Sequence, residues 1–568
     1  MMVMKILFRG DNSDNKRYRL SIILTIIALV LWSFSITQAT LDIGYFGIIY
    51  GFPIIFFIAL ILLSIASFLL WRSSKDHSIL LAFQTFILLV SLWLIPIAIG
   101  ASFPREAHAT DKFIRYTSYV VEEGHLSDEI SYHTYPAMWI LGTVTFKLFG
   151  IESHSTIISI ARLGPFIAQL LTLPIVYLFL RKFLKNENRN WIFCGIWVFN
   201  LSAWTGYNRL DPQALGLILL LLALFLLPIR VDSEENARQG YAKNLMLVVF
   251  TFTLAFTHLL TTIMLSITAI ALFLSRNLRS LFLPVMIIAL ALTWLIHQGI
   301  ALSEDQLPDF ADRMLRLDLL FELFSEPTTS QGNASHLAIA QIRTVTTVLF
   351  VSIAAVSLAA TWHRGIGKRS SIVILVIIAG AIATGGAMFY GTEVLQRAWW
   401  FMLAPISYLI MNLLNFKKLS VIILILIIIA LPLFFISYYG NQEQDYVSPS
   451  DRAGNHFAEE HIETGTIMTA LPSVAVVPFN LYFREYQIKN FEELDVGESL
   501  PDDYILEAWI NSAILKPYYL VTGRAAEEWY RAVYDNIGSI QSIEEYFKED
   551  GLYNVIYTSG DFRIYNHS

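Results

Sequence analysis

The sequence predicts a polytopic α-helical membrane protein of about thirteen spans, followed by a small extracytoplasmic α/β domain. Three observations carry that prediction. First, of 568 residues 55% are hydrophobic and 15% charged, where a soluble chain of this size carries about 25% charge; the mean hydropathy is +0.56. Second, apolar runs recur as far as about residue 438, many of them near the roughly 18–20 residues a helix needs to cross a bilayer and close its own backbone hydrogen bonds. Third, the charge is split. From Gly440 onward there are 22 Asp and Glu against 8 Lys and Arg, whereas the preceding part carries 24 against 31. An acidic soluble domain therefore follows a mildly basic membrane part, and no cationic tail for nucleic acid is present.

The N-terminus is basic and polar and turns apolar at about Ser21, with no clean small-residue cleavage site, so the first run reads as a retained span. The spans fall at about 21–38, 48–71, 79–100, 158–180, 191–207, 212–229, 245–258, 261–275, 280–302, 342–362, 371–389, 398–414 and 419–438. The short loops then sort by charge. Arg9, Lys16, Arg17 and Arg19 lie on one side with Arg72/Lys75, Arg181/Lys182/Lys185/Arg189, Arg230/Arg238/Lys243, Arg276/Arg279, Arg364/Lys368/Arg369 and Lys417/Lys418. The positive-inside rule makes that side cytoplasmic. The protein is thus expected to be multi-pass in the cell membrane, N-terminus inside and terminal domain outside. Residues 1–78 read as N-terminal extra spans, 79–438 as a transmembrane unit with outer loops 101–157 and 303–341, and 439–568 as the soluble domain. The lone Cys194 excludes an intramolecular disulfide and a Cys metal cluster.

In the terminal domain, Ser450–Glu463 reads as a capped helix and Gln541–Lys548 as another. Thr466–Met468, Val474–Val477, Tyr518–Val521, Tyr553–Tyr557 and Phe562–Tyr565 read as short strands. No Gly-rich phosphate loop or nucleophile elbow occurs there, so a lid or a substrate guide is its expected role.

The polar stretch 105–148, dense in acids, histidines and aromatics, is pinned between spans on the outer side. A helix from about His108 to Glu123 would set His108, Asp111, Arg115, Ser118 and Glu122 on one face. Asp111 and Arg115 are also an i,i+4 pair, which as a plain surface contact contributes a few tenths of a kcal/mol. Asp111 stands about ten residues past a span, close to the membrane surface. A carboxylate at that height can take a proton from a hydroxyl or hold a divalent cation such as Mg or Mn; the residues leave the metal open. Glu122 and Glu123 read as solvated, and His125 and His133 as loop histidines with a structural or a site role. From Tyr135 to Gly150 the run is too short to span. With Trp139 and Lys147 it reads as an amphipathic helix in the interface. Arg162 stands at the mouth of the next span.

The order of these motifs carries a resemblance: Asp111 followed by KFIRYTSYVV and EEGHL, then Tyr135-Pro136-Ala137-Met138-Trp139 on a helix ending Phe149-Gly150, then Arg162-Leu163-Gly164-Pro165 opening a span. It resembles the GT-C superfamily, integral-membrane glycosyltransferases that use polyprenyl-phosphate-linked sugars, such as protein O-mannosyltransferases and the lipid A aminoarabinose transferase. It covers mainly residues 100 to about 275. Two departures stand out. The Asp-Glu pair of the O-mannosyltransferases is Asp111-Lys112 here. The Trp-Trp-Asp of oligosaccharyltransferases is missing, since Trp399-Trp400 lies in a span with no Asp after it, which disfavours an oligosaccharyltransferase. The spans before residue 79 are additional to the family pattern.

The resemblance implies a membrane-bound transferase moving a hexosyl or pentosyl group from a lipid-linked sugar donor to a glycan, lipid or protein acceptor, with Asp111 as base. The donor phosphate needs positive charge, best as arginine. The outer arginines at span mouths are Arg162, Arg209, Arg343 and Arg397, and Arg397 is the chosen phosphate ligand; beside Trp399 and Trp400 it also reads as an interfacial anchor. Asp211-Pro212 reads as a helix cap with proline at the first helical position, though Arg209 and Asp211 can also line the site. His258, at the outer end of a span, is a buried polar candidate. With His108, Arg115, His133 and Arg162 these complete the candidate substrate-binding set. Asp305, Asp309 and Asp312 share a helical spacing that fits solvation or a cation. Asn333-Ala334-Ser335 is an outer-side sequon. The alternative functions are an O-antigen-type polymerase or ligase, which leans on outer Arg and His, and a transporter or flippase, which would carry its charges at mid-membrane rather than in loops. A structural membrane protein with an external interaction domain leaves the polar density of 105–135 without a purpose.

Overall fold

In a computed structural model of the chain, the described residues are 14–567, apart from 105–110, 128–132, 134, 152–153, 185–187, 206–208, 210, 230–236, 279–280, 306–332, 364–366, 388–392, 462–466, 471–487, 491–517, 525–552 and 561. Each of the apolar segments expected to span lies on a helix. The first three are α1 (Asp14–Ile36), α2 (Ile54–Trp71) and α3 (Ser78–Ala98). The outer loop supplies α4 (Asp111–Glu123), α5 (Ala137–Leu148) and α6 (His154–Arg162). The bundle continues through α7 (Gly164–Phe183), α8 (Asn190–Ser202), α9 (Pro212–Leu226), α10 (Ala237–Ala255), α11 (Leu259–Leu274), α12 (Phe282–Asp305), α13 (Ala334–Trp362), α14 (Lys368–Ala387), α15 (Glu393–Met411) and α16 (Ser420–Tyr439). Among the described residues, seven helices are long and apolar enough to cross a bilayer, and shorter apolar helices such as Pro212–Leu226 and Leu259–Leu274 complete the set.

The polar residues of the first helix that precede its apolar run are tied down. Asp14 Oδ2 accepts from the Ser74 backbone N–H at 3.1 Å, and Arg17 donates to the Arg72 carbonyl at 3.1 Å. A polar seam then joins α1 to α2 and α3. Ser21 Oγ donates to the Ala66 carbonyl, Gln84 Nε2 to Thr25 Oγ1, Ser67 Oγ to Gln84 Oε1 and Trp32 Nε1 to Ser91 Oγ, at 2.7–2.9 Å. Hydrogen bonds of this kind hold helices together where lipid removes the hydrophobic drive between them.

Helix α3 is irregular near its outer end: Val90–Leu94 forms a π turn and Pro96 follows. Proline has no N–H to give the carbonyl four residues back. The freed Leu92 carbonyl instead accepts the Tyr439 hydroxyl, 3.0 Å away at the end of α16. Trp93 packs edge-on against Phe434 and Tyr438, each at 4.8 Å between ring centroids. The first outer turn closes on the same place. At Gly47 (φ 71°) a Cβ would meet the Tyr439 carbonyl oxygen at 1.9 Å, so that position admits only glycine.

The terminal domain opens with α17 (Pro449–His461). Its sheet contains β1 (Ile467–Ala470), β2 (Ile488–Asn490), β3 (Tyr518–Thr522), β4 (Tyr553–Ser559) and β5 (Phe562–His567), ordered β2-β1-β3-β5-β4. β1 runs parallel to β2 and β3, and β5 pairs antiparallel with β3 and β4. The expected strands near 467, 518, 553 and 562 are present, and β2 is an additional one. Val474–Val477 and Gln541–Lys548 lie outside the described residues. Phe457 of α17 stacks on Tyr557 of β4 at 4.2 Å, which fixes the helix to the sheet.

Candidate functional site

Helix α4 is described from Asp111 to Glu123. The three- and four-residue spacing of Ile114, Thr117, Ser118 and Val121 turns these side chains to one side, and all are buried. Ile114 and Val121 pack with Phe146, Ile157 and Ala161, while Tyr116 and Val120 pack with Trp139. The expected polar face is therefore interrupted: Ser118 belongs to the packed side, and Glu122 and Glu123 are exposed. His108 lies outside the described residues, as do the side chains of Asp111 and Arg115; the backbone puts Asp111 on the first turn and Arg115 on the second.

Helix α5 has two faces of opposite kind. Ile140, Leu141, Val144 and Leu148 are exposed and share one side, as an interfacial helix against lipid requires. Trp139, Thr143 and Phe146 are buried on the other. The two outer helices approach closely at Gly142, where a Cβ would meet Thr117 Cγ2 at 2.8 Å.

His133 links the loop to α4. Its Nδ1 accepts the Ser127 backbone N–H at 2.8 Å, and Nε2 faces the Tyr116 carbonyl at 3.3 Å as donor. The ring packs against Tyr116, Tyr119 and Trp139. Burial pushes its pKa below the ordinary 6.5, and the bond from Ser127 requires a neutral ring. With both nitrogens engaged, His133 is a strut of the loop rather than a group presented to a ligand.

The turn between α8 and α9 carries a buried ion pair. Arg209 Nε lies 2.9 Å from Asp211 Oδ2, with the two side chains 5% and 0% exposed. Asp211 Oδ1 accepts the backbone N–H groups of Gln213 and Ala214 at 2.9 Å, the N-cap that Asp-Pro predicts. Arg209 Nη1 also donates to the Pro104 carbonyl at 3.2 Å. The pair thus holds the root of the outer loop. Among the described residues the pair therefore supports the backbone beneath the outer loop.

His258 precedes α11, and its Nδ1 lies 2.8 Å from Thr261 Oγ1. Gly216, on the first turns of α9, leaves room for this pair: a Cβ there would meet Thr261 Oγ1 at 3.0 Å and His258 Cβ at 3.4 Å. The charge of Arg397 acts on His258, and Phe401, one turn on from Arg397, lies 6.2 Å from the His258 ring. The Ala137 N–H donates to the Phe256 carbonyl, which brings the start of α5 to the same place. Arg343 donates from Nε to the Ser437 carbonyl at 2.8 Å and sits 6.0 Å over the Trp204 ring. Arg162, the last residue of α6, is half-buried where the outer loop enters α7.

Trp204, whose ring lies under Arg343, has a buried Nε1 with no hydrogen-bond partner among the described residues, and so do Thr205 Oγ1, Gln213 Oε1 and Trp400 Nε1. Buried polar groups are ordinarily paired, so a cluster of exceptions calls for a further polar partner. Of these, Trp400 is named in the sequence only as an interfacial neighbour of Arg397, and Trp204, Thr205 and Gln213 carry no local signal of a site role. Among the described residues no group of three His, Cys, Asp or Glu side chains is placed to hold a metal ion. Asp305, Asp309 and Asp312 carry no described side chain. In the sequon, Asn333 Oδ1 accepts the His336 N–H as the cap of α13, and Ser335 Oγ donates to the Tyr45 carbonyl.

No protein-family model and no curated protein matches the sequence. Among solved structures the chain is similar to ArnT from Cupriavidus metallidurans bound to undecaprenyl phosphate, at 10% identity and a TM-score of 0.38, over 86% of this chain and 98% of that one. It is similar to the archaeal oligosaccharyltransferase AglB from Archaeoglobus fulgidus in complex with an inhibitory peptide and a dolichol-phosphate, at 12% identity and a TM-score of 0.48, over 86% and 74% of the two chains. It is also similar to the Archaeoglobus fulgidus oligosaccharyltransferase tethered with an acceptor peptide containing the NVT sequon, at 11% identity and a TM-score of 0.49, over 86% and 74%. At these identities no residue of this chain takes its role from theirs.

Proposed function

We propose that the chain is a glycosyltransferase that moves one hexosyl or pentosyl unit from a polyprenyl-phosphate-linked donor to a lipid, glycan or protein acceptor at the outer membrane face. One observation carries the reading. Arg397 acts on His258 close to where α5 begins, Arg343 lies over the Trp204 ring, and Trp204, Thr205, Gln213 and Trp400 each keep a buried polar atom with no partner among the described residues. An anionic, hydrogen-bonding headgroup answers both the charge and the missing partners, and apolar helices beside it suit an isoprenoid tail. The order of sequence motifs from Asp111 to Arg162 supports the same chemistry.

In this reading Asp111 accepts the proton of the acceptor hydroxyl. The freed oxygen attacks the anomeric carbon from the side opposite the phosphate. The bond from that carbon to the phosphate oxygen breaks, its electron pair leaves with the polyprenyl phosphate, and the sugar inverts. Arg397 is the assigned phosphate ligand, since charge stabilisation of the leaving group is commonly the largest catalytic contribution. His258 lies within reach of its charge. Asp111 also has the hard oxygen donors that Mg or Mn takes. Asp211 does not share that role, because Arg209 and two backbone amides already occupy its oxygens.

The test is transfer of radiolabelled sugar from synthetic polyprenyl-phosphate sugars by the purified protein. Asp111→Asn is expected to lower the rate by about 10²–10⁴-fold, the usual worth of a positioned base. Full activity in that variant would remove Asp111 from the mechanism, and no consumption of any lipid-linked sugar by the wild type would overturn the proposal itself.

A further inference from the structure

The segment leading from α3 into the outer loop is clamped from two sides. Ala101, Ser102 and Phe103 are fully buried. On the bundle side Arg209 holds the Pro104 carbonyl at 3.2 Å. On the other side stands Gln442, three residues beyond the end of α16 and itself fully buried. Its Oε1 accepts the Ser102 backbone N–H at 2.9 Å, and its Nε2 donates to the Ser102 carbonyl. The side-chain amide takes the place of a neighbouring strand, answering both backbone groups of one residue. The Val447 N–H then donates to Ser102 Oγ at 3.2 Å.

From this clamp the contacts run without a break into the terminal domain. Ser448 caps α17 through Asp451, its N–H and hydroxyl both donating to Asp451 Oδ2 at 2.7–2.8 Å. The helix then meets the sheet through Phe457 and Tyr557. In the other direction, Tyr439 holds the Leu92 carbonyl that Pro96 frees.

We infer that Gln442 is a positioning residue through which the terminal domain sets the placement of the Asp111-bearing loop; its effect on turnover rests on the transferase reading, its effect on the loop does not. The side-chain chemistry is specific. A primary amide both donates and accepts. Glutamate has the same length but presents a carboxylate to the Ser102 carbonyl, and methionine fills the space and answers neither group. Either change leaves a buried backbone group unpaired.

The experiment compares Gln442→Glu and Gln442→Met with wild type in the full-length protein, by amide hydrogen exchange and by donor kinetics. Exchange in residues 101–103 and 111–123 is expected to quicken by about tenfold or more in both variants, while α8 and α15 keep their protection. The kcat is expected to fall by about tenfold with the donor KM unchanged, because the phosphate-binding arginines stand on bundle helices. Unchanged exchange at 101–123, or an equal rise throughout the bundle, would overturn the inference. A wild type that consumes no polyprenyl-phosphate sugar would overturn the transferase reading, and the exchange result would still decide the clamp.

Discussion

The two ends of the helix bundle treat polar side chains in opposite ways. At the end marked as inner by its basic loops, Lys182 Nζ closes on the carbonyls of Leu224, Phe225 and Leu227 at 2.6–3.2 Å. Asn190 there joins the backbone of Leu70, Lys75 and His77. Trp71 Nε1 is an exception. Toward the opposite end Trp204, under Arg343, and Thr205, Gln213 and Trp400 keep buried polar atoms without a partner among the described residues. Satisfied groups hold helices together. Unsatisfied ones cost stability in the absence of a ligand, and a chain that keeps several together has a use for them.

The comparison can be broken most forcefully at the pair beneath the outer site. Arg209→Ala leaves Asp211 charged, buried and unpaired, and is expected to lower stability by about 3–5 kcal/mol in a denaturation assay in micelles. A loss under about 1 kcal/mol would mean that water reaches the pair. At the inner end, Lys182→Met strips three carbonyls of a charged donor. It is expected to lower stability by about 1–3 kcal/mol while turnover per folded molecule stays at the wild-type level. Gln213→Leu at the outer end should show the reverse pattern: unchanged or slightly higher thermal stability, with a donor KM raised by about tenfold, near 1.4 kcal/mol. If Gln213→Leu lost stability and kept its KM, the outer end would be structural as well.

The smallest effect belongs to the loop. Burial holds the folded pKa of His133 below the 6.5 it has when unfolded. The unfolded loop then binds the proton more readily. The stability His133 contributes is whole above about pH 6.5 and is lost as the pH falls from there toward the depressed folded value. Exchange at 111–123 should quicken over that acidic window in wild type, and the step should vanish in His133→Gln.

Much of this arrangement is legible in the sequence, for identifiable reasons. Apolar runs become helices because the backbone has no alternative in lipid, and the Asp211-Pro212 cap and the interfacial α5 follow from local chemistry. What escapes is set by distant partners. The anchoring of Asp14 depends on Ser74, sixty positions away. The engagement of Gln442 with Ser102, 340 positions apart, leaves no local mark at all. Pro96 was the visible hint, since a proline in a span frees a carbonyl for some partner, but nothing local names Tyr439. Ser118 was misplaced on the polar face because periodicity alone does not say which side of α4 meets α5 and α6.

The most direct measurement is single-turnover transfer from a defined polyprenyl-phosphate sugar, with wild type and Asp111→Asn purified side by side and checked for equal thermal stability. The account predicts transfer with inversion by the wild type and a loss of about 10²–10⁴-fold in the variant. Equal rates in the two proteins would contradict it.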